Sequence, residues 1–260
     1  EATTQIILDH QAGRPPWTVA SIDGLLDHRP DGREKFIDTR PTAASTPLVY
    51  LPAALGAVVP VAMNAPGVIT LWAARLASLG AYLALAWWAV RSAAAFQWSL
   101  TVAALIPLNL ALAASVSPDG LTVAAVLAAF SLWTRVEFDE PLALGTIGAP
   151  LLLLALAKPP YFLLLGLFPL SAALARSRYR LRAAVIACGA LVAGIVTSVI
   201  RSSENYQAAT TTMIRQIDYQ PAVQRERLLG DVPGFLWAAV DTWISEYRFY
   251  VQGWFRQLGF

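Results

Sequence analysis

Cysteine is nearly absent. Cys188 is the single one, so the chain offers no intrachain disulfide and no thiolate metal cluster, and a lone thiol in the apolar run 183–200 reads as a packing residue. Histidine is almost as rare. The two present stand in Asp9-His10 and Asp27-His28, pairs whose spacing matches no metal geometry, so they read as solvated loop charge; no metal ligands are assigned, and a divalent cation stays open as a cofactor. Charge is scarce as well, at 14% of residues with a net of +2. The arginines fall in short clusters rather than on one basic face, which sets nucleic acid aside. No glycine-rich phosphate loop, GxSxG, HExxH or CxxC occurs, which argues against the motif-bearing enzyme classes without eliminating them. The chain opens on Glu1 without a signal sequence and stops at Phe260. The expectation is an internal fragment, with membrane helices missing at one or both ends.

What is present is apolar. With 57% hydrophobic residues and a mean hydropathy of +0.53, the chain is too greasy for an ordinary soluble domain and reads as an all-α, polytopic transmembrane bundle. Residues 1 to about 46 are polar and rich in turn chemistry, including Arg14-Pro15-Pro16, Asp23-Gly24 and the charge run 27–40. The stretch 47–62 is apolar but short and holds Pro47, Pro52 and Pro60, so it is expected to be re-entrant or interfacial rather than spanning. Spans, or near-spans, are expected over about 67–90, 97–115, 118–134, 142–157, 159–175 and 181–200. Residues 201–233 read as a polar loop. After them, 234–258 repeats Asp241, Ser245, Arg248, Gln252 and Arg256 at helical spacing against a face with Trp237, Val240 and Ile244. That is an amphipathic helix lying on a surface. The domain reading is an outer segment 1–66, a bundle 67–200 and an outer loop with helix 201–260.

Arginine placement orients the bundle. Arg176, Arg178, Arg180 and Arg182 crowd one connection and mark it as cytoplasmic, which also puts Arg91 and the segment 135–140 inside, flanked by Trp87, Trp88, Trp98 and Trp133 as an aromatic belt. The turn Ser117-Pro118-Asp119-Gly120, the connection 62–66 and the seam Lys158-Pro159-Pro160-Tyr161 then lie outside.

Lys158 is the most informative charge, since an uncompensated ammonium in hydrocarbon costs roughly 2.5–3.5 kcal/mol. Either it snorkels to the interface or it holds a phosphate at the bilayer edge; an interface or a phosphate is the expected compensation, ahead of a partner inside the bundle. Arg75 lies about 12 Å along its helix and needs a carboxylate, phosphate or carbonyl partner, in a site or in a structural ion pair. Ser117-Pro118-Asp119 suits a helix N-terminus, with Asp119 facing a polar cavity as the other reading. Tyr50 and Tyr161 are most simply interfacial anchors, and their place beside these motifs also makes them substrate-binding candidates.

The order of landmarks carries a family likeness. A Glu-Ala start is followed by Pro47-Leu48-Val49-Tyr50-Leu51-Pro52, Arg75-Leu76, Ser115-Val116-Ser117-Pro118-Asp119 and Lys158-Pro159-Pro160-Tyr161. The chain resembles the predicted bacterial membrane proteins of domain-of-unknown-function family 2142 over almost its whole length. That family is similar to the GT-C glycosyltransferases, which take sugars from polyprenyl-phosphate carriers. The resemblance implies a multi-pass protein of the bacterial cytoplasmic membrane with a site at the outer edge. It implies a polyprenyl-phosphate sugar donor, an acid at Glu1 or just upstream of it as the base, and Lys158 and Arg75 on the phosphate. A transporter or assembly partner for envelope polysaccharide export is the alternative, since charged groups in a membrane bundle can equally line a substrate path.

Overall fold

In the computed structural model, the residues described are 26, 29, 45–141, 144–158, 161–174, 179–201 and 221–247. A 3-10 turn, Pro47–Tyr50, leads into α1 (Leu51–Ala62). The rest are α2 (Gly67–Ser92), α3 (Gln97–Ala104), α4 (Pro107–Ala113), α5 (Pro118–Glu137), α6 (Leu144–Ala157), a second 3-10 turn Tyr161–Gly166, α7 (Leu167–Leu174), α8 (Arg180–Arg201), α9 (Pro221–Gly230) and α10 (Val232–Ser245). Among the described residues there is no strand.

Among the described residues, three helices are long and apolar enough to cross a membrane: α2, α5 and the 180–198 part of α8. The fold is that of an all-α helical membrane protein. Leu71, Leu83, Val185, Val192 and Ile195 stand exposed on α2 and α8, where lipid would cover them. By contrast α5 is buried on most of its surface. Its inward positions are small, with Ala124, Ala125 and Ala128 fully buried, and such residues let helix backbones approach closely where water supplies no drive to associate. On one flank, α5 shares a core with α2 and α3 through Tyr82, Ala86 and Leu100. On the other, Leu132 and Val136 meet Leu151 and Leu154 of α6, Phe168 of α7 and Ala187 of α8.

Three expected spans are not among these: 142–157 is described as α6, one of the shorter apolar helices, and the other two are interrupted. The stretch 97–115 is broken between α3 and α4 because Pro107 has no N–H for the Ala103 carbonyl four residues back. The freed carbonyls find side chains instead: Asn109 Nδ2 donates to Ala103 O at 2.7 Å and the buried Tyr82 hydroxyl to Ala104 O at 2.8 Å. Within 159–175, Tyr161–Gly166 is a 3-10 turn and the α-helix begins only at Leu167. Trp88 and Trp133 also depart from expectation, packing partly buried against the core, whereas Trp87 and Trp98 are exposed in the manner of a belt.

Two arginine bonds set the register of the parallel pair α2 and α5. Arg75 Nε donates to Ala114 O at 2.6 Å, and Arg135 donates from Nη1 to Ser92 O at 3.2 Å. From Arg75 to Ser92, and from Pro118 to Arg135, each helix rises about 25 Å. The first turns of α2, from Gly67, therefore continue about 12 Å beyond the start of α5. α1 accompanies them, and a side chain on Gly56 would lie 2.6 Å from Ala73 O. The connection 62–66 thus stands about two helical turns beyond Ser117 and Lys158. α1 is a short apolar helix below spanning length, and it climbs from the level of the ion pair described below to this tip.

Residues 201–233 do not read wholly as loop either, since α9 occupies Pro221–Gly230. Arg176 and Arg178 of the arginine cluster, and the part of the expected amphipathic helix after Tyr247, lie outside the described residues.

Candidate functional site

Three segments meet at one end of the bundle: the entry to α1, the first turn of α5 and the exit from α6. Each is fixed there by backbone chemistry. Ser117 caps α5, its Oγ accepting from Asp119 N at 3.1 Å with Pro118 at the first helical position, as expected for an N-cap. The cap holds Asp119 at the rim. A side chain on Gly120 would come within 2.5 Å of Ala113 Cα, so glycine is what lets α4 and α5 close around this turn.

At the exit from α6, Pro160 carries no N–H to offer Leu156 O, the carbonyl four residues before it. The buried Thr46 supplies the donor, with Oγ1 to Leu156 O at 2.7 Å. That bond ties the entry segment to the exit of α6. The signal for Thr46 was available in the sequence as an unpaired carbonyl, but nothing there identified which distant hydroxyl would meet it.

Lys158 stands where these segments converge. Its Nζ donates to Asp119 Oδ1 at 2.7 Å, with side-chain exposures of 41% and 34%. Beside the interface or phosphate expected from sequence, the structure gives Lys158 a partner within the protein. A carboxylate of the protein faces the ammonium, and Ser117 Oγ contacts the other carboxylate oxygen at 3.4 Å. The hydrogen bond that Lys158 donates to Asp119 raises the Lys158 pKa above the ordinary lysine value; burial opposes it with smaller effect. Lys158 follows the last residue of α6, outside every candidate span, and is cationic at neutral pH. Tyr161 and Tyr50 both lie within electrostatic reach of it, Tyr161 through the turn in which its N–H donates to Lys158 O at 3.0 Å.

Four sequence candidates, Lys158, Asp119, Tyr50 and Tyr161, are thus brought together. Arg75 is not part of the cluster. Its Nε is committed to Ala114 O, and its guanidinium lies 5.8 Å over the Trp72 ring, so it fastens α2 to the connection that leads into Ser117. Glu1, Asp9, His10, Asp27 and His28 lie outside the described residues. Among the described residues no group of three His, Cys, Asp or Glu could hold a metal ion.

Chemically, an ammonium has three N–H groups and one is spent on Asp119. A partly exposed ammonium with N–H to spare and phenols beside it can receive an oxyanion in exchange for, or in addition to, its carboxylate.

A family model described as a predicted membrane protein (DUF2142) matches residues 29–260. No curated protein and no solved structure matches the chain.

Proposed function

Because this chain belongs to the DUF2142 family of predicted membrane proteins, we propose that it transfers a sugar from a polyprenyl-phosphate carrier to an envelope acceptor at the outer edge of the bacterial cytoplasmic membrane. The observation that carries this reading is the ion pair of Lys158 and Asp119 with Tyr50 and Tyr161 around it. A lipid-borne phosphate arrives at a bundle end at just such a depth, with its tail between helices and its charge toward water.

In the proposed reaction an acceptor hydroxyl oxygen bonds to the anomeric carbon of the sugar. The bond from that carbon to the phosphate oxygen breaks, and its electron pair leaves with the phosphate. The hydroxyl proton passes to a carboxylate, which the family resemblance assigns to Glu1 or the acid before it. Lys158 stabilises the charge gathering on the leaving phosphate, assisted by the two phenols. Asp119 holds the ammonium in place and charged until the donor binds. Arg75 is reassigned from direct phosphate contact to a brace for the α4 to α5 connection.

Transfer from a labelled polyprenyl-phosphate sugar by the full-length protein tests this. Lys158→Ala is expected to slow transfer by about 100-fold, the effect of deleting one preorganised donor to a developing oxyanion. Unchanged transfer in a folded variant would remove Lys158 from the site.

A further inference from the structure

The last described helix makes a claim of its own. In α10 the Asp231 side chain caps the first turn, Oδ1 accepting from Gly234 N at 2.9 Å. Wound at 100° per residue, the helix puts Leu236, Trp237, Val240, Trp243 and Ile244 within an arc of about 120°. Asp241, Thr242, Ser245 and Glu246 occupy the opposite side, together with Phe235. None of the apolar five is covered: Trp237 is 72% exposed, Trp243 67% and Ile244 61%.

The order of residues across the arc selects the occupant. Trp243 and Trp237 mark its two edges, and the aliphatic Leu236, Val240 and Ile244 fill the middle. A helix half sunk in a lipid interface needs that arrangement, with indoles at both waterlines and hydrocarbon between them. An interface with a protein groove concentrates its aromatic anchors at the centre instead. A suitable surface is also at hand. α8, a candidate span, ends at Arg201, at the same bundle end as Lys158: the two helices run parallel, and a side chain on Gly194 would lie 2.9 Å from Ala155 O. α9 begins at Pro221 and α10 at Val232, after α8 in the chain. The bilayer that covers α2 and α8 is thus continuous with what α10 can reach.

We propose that α10 is an in-plane membrane helix, seated in the lipid–water interface on the side of the bundle where Lys158 lies, with Leu236, Val240 and Ile244 as its immersed edge. The inference rests on the pattern of the helix and does not require the transferase reading.

The full chain carrying Cys188→Ser, so that the free exposed thiol takes no label, receives a nitroxide through Leu236→Cys, Val240→Cys, Ile244→Cys, Asp241→Cys or Ser245→Cys in turn. In phosphatidylcholine vesicles, collision rates with oxygen and with a water-soluble nickel chelate are measured at each position. Positions 236, 240 and 244 are expected to favour oxygen over nickel by several-fold, and 241 and 245 the reverse. Equal nickel access at all five positions would overturn the proposal in favour of a solvated helix. Screening of 236, 240 and 244 from both reagents would overturn it in favour of a protein partner on that face.

Discussion

Asp119→Leu, with Lys158 left in place, is expected to destabilise the folded protein by about 2 kcal/mol, whereas the double variant Asp119→Leu, Lys158→Met returns to within about 1 kcal/mol of the parent. Removing one partner of a buried ion pair leaves a desolvated charge and costs roughly 3–5 kcal/mol, while exposed pairs are worth under about 1. Lys158 and Asp119, at 41% and 34% side-chain exposure, belong between those limits. The Ser117 hydroxyl that contacts Asp119 loses a partner as well. Unfolding in mixed micelles by a denaturing detergent reads the difference. A single variant as stable as the parent would mean that lipid headgroups or water already solvate Lys158 and that the carboxylate is incidental.

Gly120→Ala is the second large effect, at about 3 kcal/mol. The added Cβ would sit 2.5 Å from Ala113 Cα and 2.9 Å from Ala113 N, both backbone atoms, so no rotamer change relieves the clash and α4 must move away from α5. The neighbouring cap would move with it, carrying Asp119 away from Lys158. Gly80→Ala is the control. Nothing lies within 4 Å of its added Cβ, and alanine in a helix interior costs less than glycine, so stability should hold or rise slightly in the same unfolding measurement. Equal stability of the two variants would refute the close approach of α4 to α5.

How far the sequence discloses this molecule depends on what each residue's role needs. The helical class and the membrane setting follow from composition, because apolar surface without charge must be covered by lipid or protein whatever the contacts. The N-cap at Ser117 is equally local, since Pro118 and Asp119 complete it within one turn. The partner of Lys158 is not local. The carboxylate it pairs with is 39 residues away in sequence, and only the register of α5 against α6 brings the two together. Tyr161 stands beside Lys158 through its own turn, but the company of Tyr50 depends on the Thr46 to Leu156 bond, which spans 110 residues. The breaks at Pro107 and in 159–175 show the converse. Proline chemistry is written in the sequence, yet long apolar runs invite a continuous span until one asks where each freed carbonyl goes. Counting spans gives the tip 62–66 a side of the bundle and says nothing of its height, which the register of α2 against α5 supplies.

The central claim is that a polyprenyl phosphate seats its charged end against Lys158. It is tested most directly by photocrosslinking the full-length protein in lipid nanodiscs with a polyprenyl phosphate bearing a diazirine beside the phosphate, and mapping the labelled peptides by mass spectrometry. The account predicts labelling confined to segments around Tyr50, Asp119, Lys158 and Tyr161, competed by unmodified carrier and lost in Lys158→Met. Labelling spread evenly over the lipid-exposed faces of α2 and α8, or undiminished in Lys158→Met, would contradict it.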